Sequence, residues 1–396
     1  LEFRRVLFRS EVQFIPAKLK VIDHYRETYE CRSCRKNGTP YMEKAPVPYP
    51  PVLHSLASAS TITWLIHQKF ELSIPLYRQE KEWEALGLRL SRATMSNWLL
   101  VVYRDWLVHI VHRLKLELLK QRYLHIDETH VQVLKEPGRK NTSDSYMWVY
   151  CSIRDAVNPI RYFEYQPGRS GKYPEAFLRE YEGYIHTDAY SGYNAVSGVK
   201  RCLCYTHLRR AFVDALPKDI HNSEASKPAE AILRLNQLFN IESELEALPP
   251  DQKKKERLIR EKPLLEAFWS WAEKSAIGEL PKSKLSKAFH YALNNREGFW
   301  NYLEDGNCSI SNSLAENCIR PFVIGRKNWL FSGSPKGAEA SAGIYTLVET
   351  AKANGLAPMK YIKYILSDMP GSAFLEHPEY LDDYLPWNPL VKEFCR

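Results

Sequence analysis

Apolar spacing along the chain changes period at Tyr123, and that change limits the folds open to it. From about residue 56 to residue 120 apolar side chains recur every three or four positions, as on amphipathic helices. After Tyr123 they gather in short runs, Tyr123–Ile126, Tyr146–Ser152 and Ile160–Tyr165, which read as strands. A polar, turn-rich loop from Pro137 to Asp144 separates the first two runs. A helix over Tyr173–Tyr181, a strand over Tyr184–Thr187, a small helical piece over Ala189–Val196, a strand over Arg201–Tyr205 and a helix over His207–Leu216 complete the pattern. The order is βββαβαβα, an α/β module, and two of its strands are expected to end on an aspartate: Asp127 in HIDET and Asp188 in HTDAY.

One carboxylate at a strand end more often caps the next helix than does chemistry. Two of them suggest a metal site, and a third acidic residue strengthens the case: Glu316, within SNSLAENCIRPFVIGRKNWLFSGS, is expected early in a helix with Arg320 one turn further on. Phosphodiester cleavage near neutral pH needs a lowered water pKa and neutralised phosphate oxygens. Two Mg²⁺ (or Mn²⁺) about 3.5 to 4 Å apart provide both, and hard carboxylate oxygens suit such ions. Asp127, Asp188 and Glu316 are therefore the candidate catalytic and metal-holding residues.

Ahead of the module, Glu11 to Tyr41 alternates apolar and charged residues in a strand-like way and contains one C-x-x-C pair, Cys31 and Cys34. Structural zinc normally takes four ligands, so this pair is half a Zn²⁺ site, with His24 as a candidate third ligand. Four prolines between Ala45 and Val52 read as an extended linker. Helices are expected over Ser60–Phe70 and Pro75–Leu86, with Gly87 as a stop. A third should be capped by Ser91, with Met95, Trp98, Leu99 and Val102 inward and Arg92, Thr94, Ser96 and Asn97 on other faces. This resembles a helix-turn-helix whose third helix, through Arg92 and Asn97, can enter a DNA groove; a plain bundle with a solvated polar face is the alternative. No Gly or Pro interrupts residues 88–136, so that helix is expected to run on through Trp106, Ile110, Leu114 and Leu118. Ala225 to about Leu303 reads as helical, with prolines at 249, 250, 263 and 281 dividing it.

A chain of 396 residues, 44% hydrophobic, can bury a full core and suggests two or three modules. It has no apolar stretch of membrane-spanning length and no secretory leader, which points to the cytoplasm and away from the membrane. Its 8 cysteines lack the regular spacing of a secreted disulfide scaffold, and its net charge of +8 agrees with a polyanionic partner without requiring one. Leu1 to Ser10 fits none of these patterns and is set aside as non-native or unassigned.

Several blocks, taken together, resemble the insertion-sequence-66-type transposases, a bacterial family with a ribonuclease-H-like domain and an Asp-Asp-Glu active site. They are the Cys31/Cys34 segment, IPLYRQE at 74–80, HIDET, GYIHTDAYSGYNA, CYTHLRRAF at 204–212, the AEN-IRP-GRKNWLF block, ETAKANGL at 349–356 and YLPWN at 384–388. The strand and helix order is also the one used by ribonuclease-H-like nucleases. The resemblance implies that Asp127, Asp188 and Glu316 are the catalytic triad and that His207 and Arg210 form a recurring His-x-x-Arg element. It further implies a multidomain α+β protein: a partial zinc-binding knuckle at 11–44, a linker at 45–55, a helical, helix-turn-helix-like DNA-binding domain at 56–120, a catalytic domain at 121–355 with a helical insertion at about 220–305, and a C-terminal helix and tail at 356–396. The family's zinc module has another Cys pair upstream, so an N-terminal truncation is expected here. Ser313 and Asn317 stand where the family typically has Asn and Arg.

On this reading the partners are DNA, as transposon ends and target, a second copy of the chain, and small accessory proteins of the same element, in the bacterial nucleoid. Arg320, Arg326 and Lys327 are candidates for phosphate contacts, with His207 and Arg210 steadying the phosphate at the active site. Trp329, between Asn328 and the apolar pair Leu330 and Phe331, suits a core better than a base-stacking platform. Two other classes remain open at this level: a nuclease of similar fold that hydrolyses without joining, and a DNA-binding protein that has lost catalysis.

Overall fold

The computed structural model describes residues 10–13, 17–217 and 226–396. Most of the set-aside Leu1–Ser10 segment, and the start of the helical insertion expected near residue 220, lie outside the described residues. Thr28–Glu30 (β1) pairs with Met42–Lys44 (β2) across a helical turn, Arg32–Lys36. The strand texture expected over Glu11–Tyr41 thus yields only β1 among the described residues. Both strands are exposed along their length, and an alternating pattern without an apolar layer beneath it has nothing to bury.

Past the prolines the helices begin where capping side chains permit. Ser58 Oγ accepts the Thr61 N–H (3.1 Å) at the start of Ala59–Ile66 (α1), and Ser91 Oγ accepts the Thr94 N–H (3.1 Å) at the start of Arg92–Val102 (α3). Between them Leu76–Ala85 (α2) follows Pro75 and ends at Gly87, whose φ of 91° an L side chain resists. After α3 one wider turn, Tyr103–Leu107, leads into Val108–Leu119 (α4), where Ile110, Leu114 and Leu118 are fully buried. Met95, Trp98, Leu99 and Val102 face inward, while Arg92, Thr94 and Asn97 are exposed.

The sheet comprises Tyr123–Val133 (β3), Asp144–Ser152 (β4), Arg161–Gln166 (β5), Gly183–Thr187 (β6) and Val199–Leu203 (β7), in the order β5-β4-β3-β6-β7. The first three are antiparallel, and β6 and β7 continue parallel to β3. Lys172–Phe177 (α5) precedes β6, the helical piece expected over Ala189–Val196 is a 3₁₀ turn, Ser191–Ala195, and Tyr205–Val213 (α6) follows β7. The first strand does not end at Ile126 as expected. It passes through Asp127 to Val133, because β4 pairs with it as far as Gln132, and a main-chain ladder does not depend on side-chain polarity.

The insertion, chiefly Lys227–Glu244 (α7), Lys262–Ala276 (α8) and Lys284–Asn294 (α9), builds its own core. Leu235, Leu238, Leu265, Phe268, Trp269 and Phe289 close over Leu208 and Phe212 of α6. Ser313–Trp329 (α10) then crosses back to the sheet, and Phe331–Ser332 (β8) pairs with the far end of β3. Pro335–Ala353 (α11) lies along the edge strand β5, where Thr346 and Thr350 hydroxyls accept the outward N–H groups of Phe163 (2.8 Å) and Arg161 (3.1 Å). A free strand edge is thereby closed without another strand. Pro358–Asp368 (α12) and Pro389–Cys395 (α13) join α1 to α4, the sheet, α10 and α11 in one continuous core. Among the described residues no helix is long and apolar enough to cross a membrane.

Candidate active site

Strand register brings the two aspartates level. The parallel pairs Leu124–Ile185 and His125–His186, continued two residues further, put Asp188, one residue past the end of β6, beside Asp127 of β3. Such strands lie about 4.8 Å apart. Asp127 Oδ1 accepts the N–H of Glu128 (2.9 Å) and Asp188 Oδ1 accepts the N–H of Tyr190 (3.0 Å), so each carboxylate is turned by its own backbone. The loop carrying Asp188 is held from below by Arg201, whose guanidinium donates to the carbonyls of Asp188 (2.6 Å) and Tyr190 (2.8 Å). Arg169, its guanidinium carbon 3.9 Å from the Tyr190 ring centroid, bonds the buried Glu128 (2.5 Å) and reaches to 3.7 Å from Asp188 Oδ2.

Glu316 is positioned by the start of its helix. The buried Asn312 donates its Nδ2 hydrogen to the Ile126 carbonyl (2.8 Å), one residue before Asp127, and its Oδ1 takes the Nδ1–H of His125 (2.9 Å). A carbonyl can only accept, so this pairing fixes the orientation of the amide. Glu316 follows one turn later. Below it the approach to α10 is pinned by Arg257, fully buried, which donates to the carbonyls of Tyr302 (3.1 Å), Asp305 (3.1 Å) and Cys308 (2.8 Å) while paired with Glu242 (2.5 Å). The insertion therefore sets where the third acidic residue stands.

Charge is crowded here. Burial, then the carboxylate of Glu128, and with smaller effect those of Asp188 and Glu316, push Asp127 up to about 7. The three carboxylates do not close on one another: Glu316 Oε1 faces His207 Nδ1 at 3.7 Å instead, in a group with Cys204 whose donor atoms all lie within 4.8 Å. Asp127, Asp188 and Glu316 would hold divalent cations through their hard carboxylate oxygens, and the cations would neutralise that charge. The all-oxygen donor set and the unmet negative charge thus fit a pair of hard divalent ions.

The other candidates separate into spent and free groups. Arg326 donates to Thr129 Oγ1 (3.0 Å) and to the His130 carbonyl, tying α10 to β3. Trp329 packs against the core with the Lys69 ammonium 4.0 Å above its ring. Arg210, Arg320, Lys327, Arg92 and Asn97 are exposed. The Cys204 side chain, with smaller effects from Glu316 and Asp188 and against burial, holds the His207 pKa above its ordinary value. Among the described residues, no His, Asp or Glu, His24 included, joins Cys31 and Cys34 in a three-donor group. Asn312, Glu128, Arg169, Arg201 and Arg257 were not singled out from sequence; only Asn312, at the start of a helix that carries an acidic residue one turn in, had a local signal.

A profile of the Transposase IS66 family matches residues 54–340. The chain is also similar to three proteins of Sinorhizobium fredii. It is 26% identical to the uncharacterized protein y4hP, covering 94% of this chain and 69% of that one. It is 26% identical to the uncharacterized protein y4jD, covering 95% and 74%, and 28% identical to the uncharacterized protein y4qI, covering 96% and 71%.

Proposed function

We propose that this chain, which belongs to the Transposase IS66 family and so is a DDE-type transposase acting on DNA, uses Asp127, Asp188 and Glu316 as the acidic set that holds two divalent cations for strand cleavage and strand joining. The observation that carries this is the convergence of three elements: two neighbouring parallel strands whose register at His125 and His186 leads to Asp127 and Asp188, and a helix tied by Asn312 to the residue before Asp127. The sheet order, with three antiparallel strands followed by two parallel ones, supports a ribonuclease-H-like catalytic domain interrupted by the helical insertion.

Bound there, Mg²⁺ or Mn²⁺ lowers the pKa of the attacking hydroxyl or water and neutralises the phosphate oxygens. The protein's own part is to hold the carboxylates and the DNA. Backbone N–H groups turn Asp127 and Asp188, Arg201 and Arg169 brace the Asp188 loop, and the buried ladder from Arg257 to Asn312 sets Glu316. Hydrolysis and joining differ only in the nucleophile, water or a terminal 3′-hydroxyl, so one acidic set serves both. Arg210, Arg320 and Lys327, exposed on α6 and α10, are the groups proposed to contact phosphates, with His207. The exposed Arg92 and Asn97 on α3 suit reading of transposon ends by a helix-turn-helix formed by α2 and α3. Bringing two ends together implies at least two copies, with accessory proteins of the same element, on bacterial chromosomal DNA. Zn²⁺ at Cys31 and Cys34 would need ligands beyond that pair.

The test is Mg²⁺-dependent cleavage and joining of candidate end DNA by the wild type, Asp127→Asn, Asp188→Asn and Glu316→Gln. Each variant should lose both activities by at least about 10³-fold while retaining DNA affinity. Joining by any of the three at the wild-type rate contradicts the assignment.

A further inference from the structure

Two polar atoms near the acidic set face each other at ion-pair range without a hydrogen bond. His207 Nδ1 and Glu316 Oε1 are both buried from solvent, neither has a hydrogen-bond partner, and they stand 3.7 Å apart. Leaving such atoms buried without a partner is unfavourable, and the gap is too long for a hydrogen bond. It is close to what two ligands of one ion require: bonds of about 2.1 Å at a tetrahedral angle set N and O roughly 3.4 Å apart. A third donor completes the face. Cys204 sits at the start of α6, one turn before His207, and its Sγ, a ring nitrogen of His207 and a carboxylate oxygen of Glu316 all lie within 4.8 Å of one another. The Asn312 N–H donates to that sulfur (3.1 Å), which holds its orientation.

A second group of similar compactness, His186 with Cys202 and Cys308, lacks this vacancy of bonding. His186 donates through Nδ1 to the Leu124 carbonyl (3.1 Å) and accepts the Ser309 N–H at Nε2 (2.8 Å), so neither nitrogen is available.

We propose that Cys204, His207 and Glu316 form a binding site for one borderline-soft divalent cation of the Zn²⁺ class, separate from the all-oxygen set but sharing Glu316 with it. Sulfur and imidazole select such an ion over Mg²⁺, and three protein ligands leave a fourth position for water. A consequence follows that rests on the proposed function: an ion held there draws Glu316 away from Asp127 and Asp188, so Zn²⁺ restrains Mg²⁺-dependent cleavage.

The experiment is Co²⁺ titration of the full chain carrying Cys31→Ser and Cys34→Ser, followed by absorption. One Co²⁺ per chain is expected, with a thiolate-to-cobalt charge-transfer band in the near ultraviolet and the intense visible bands of tetrahedral Co²⁺. Zn²⁺ should displace it. Adding Cys204→Ser should abolish the charge-transfer band, and adding His207→Ala should weaken binding by at least about 100-fold, with circular dichroism unchanged. Absence of the band in the parent, or its persistence in folded Cys204→Ser, overturns the site. This readout needs no DNA, so a failure of the cleavage chemistry and a failure of the ion site are told apart. In the cleavage assay, each protein scaled to its own Mg²⁺ rate, Cys204→Ser should resist Zn²⁺ at concentrations that inhibit its parent; equal inhibition overturns the restraint.

Discussion

Removing the side chain of Asn312 should disable the protein out of proportion to the stability it costs. Asn312→Ala deletes two buried hydrogen bonds, to the Ile126 carbonyl (2.8 Å) and from His125 Nδ1 (2.9 Å), and strands both partners away from water. At about 1–3 kcal/mol for each stranded group, partly relieved by relaxation, the loss is about 2–4 kcal/mol. That should appear as a melting temperature several degrees lower. The larger effect is on geometry: these are the bonds that tie α10, and with it Glu316, to the residue before Asp127. A displacement of about 1 Å at a catalytic group costs about 10²-fold in rate. Cleavage at saturating Mg²⁺ should therefore fall about 100-fold at a temperature where the variant is fully folded. Asn312→Asp should do no better, since a carboxylate faces the Ile126 carbonyl and adds charge beside Asp127. Cleavage by folded Asn312→Ala within twofold of wild type would refute the view that this side chain positions Glu316.

Three further outcomes are expected. Because Asp127 titrates near 7 when folded and near 3.8 when free, its proton stabilises the metal-free protein below about pH 4, and that contribution, at most about 4 kcal/mol, is lost as pH rises through 7; melts in chelator between about pH 5 and 8 should fall more steeply for wild type than for Asp127→Asn, and parallel slopes would contradict the shift. Arg169→Met leaves Glu128 buried without its cation and should cost roughly 2 kcal/mol, discounted because Arg169 is itself 38% exposed; a loss below about 0.5 kcal/mol in chemical denaturation would contradict the brace. Arg257→Met leaves Glu242 with only Lys253 (3.4 Å) and strips the guanidinium from the Tyr302, Asp305 and Cys308 carbonyls, and should cost about 2–4 kcal/mol; near-wild-type stability would show that the insertion is not anchored through this residue.

The elements of the sheet could be read from sequence because apolar period reports burial directly: Tyr146–Ser152, Tyr184–Thr187 and the inward row Met95, Trp98, Leu99 and Val102 all follow it. Where burial is absent the signal misleads, as in the exposed strands at Thr28–Glu30 and Met42–Lys44. Where pairing continues over polar residues the signal is silent, so β3 extends beyond Ile126 to Val133. Asp127 and Asp188 stand out because each follows an apolar run, but their common level depends on a parallel register that no local pattern encodes. The long-range contacts were hidden for the same reason. Arg257 lies in a charged helical stretch that reads as solvated surface, and only folding shows its guanidinium inside, clasping carbonyls far along the chain. Arg326 reads as a phosphate ligand, and its Nη1 also ties α10 to Thr129 and His130 of β3.

The central claim is that three carboxylates from β3, the end of β6 and α10 share a pair of hard divalent ions. Anomalous diffraction from crystals of the protein with end DNA and Mn²⁺ tests it most directly. Two Mn²⁺ peaks about 4 Å apart, touched between them by Asp127, Asp188 and Glu316, are predicted. Well-ordered crystals in which these side chains coordinate no manganese, with cleavage still proceeding in solution, would contradict it.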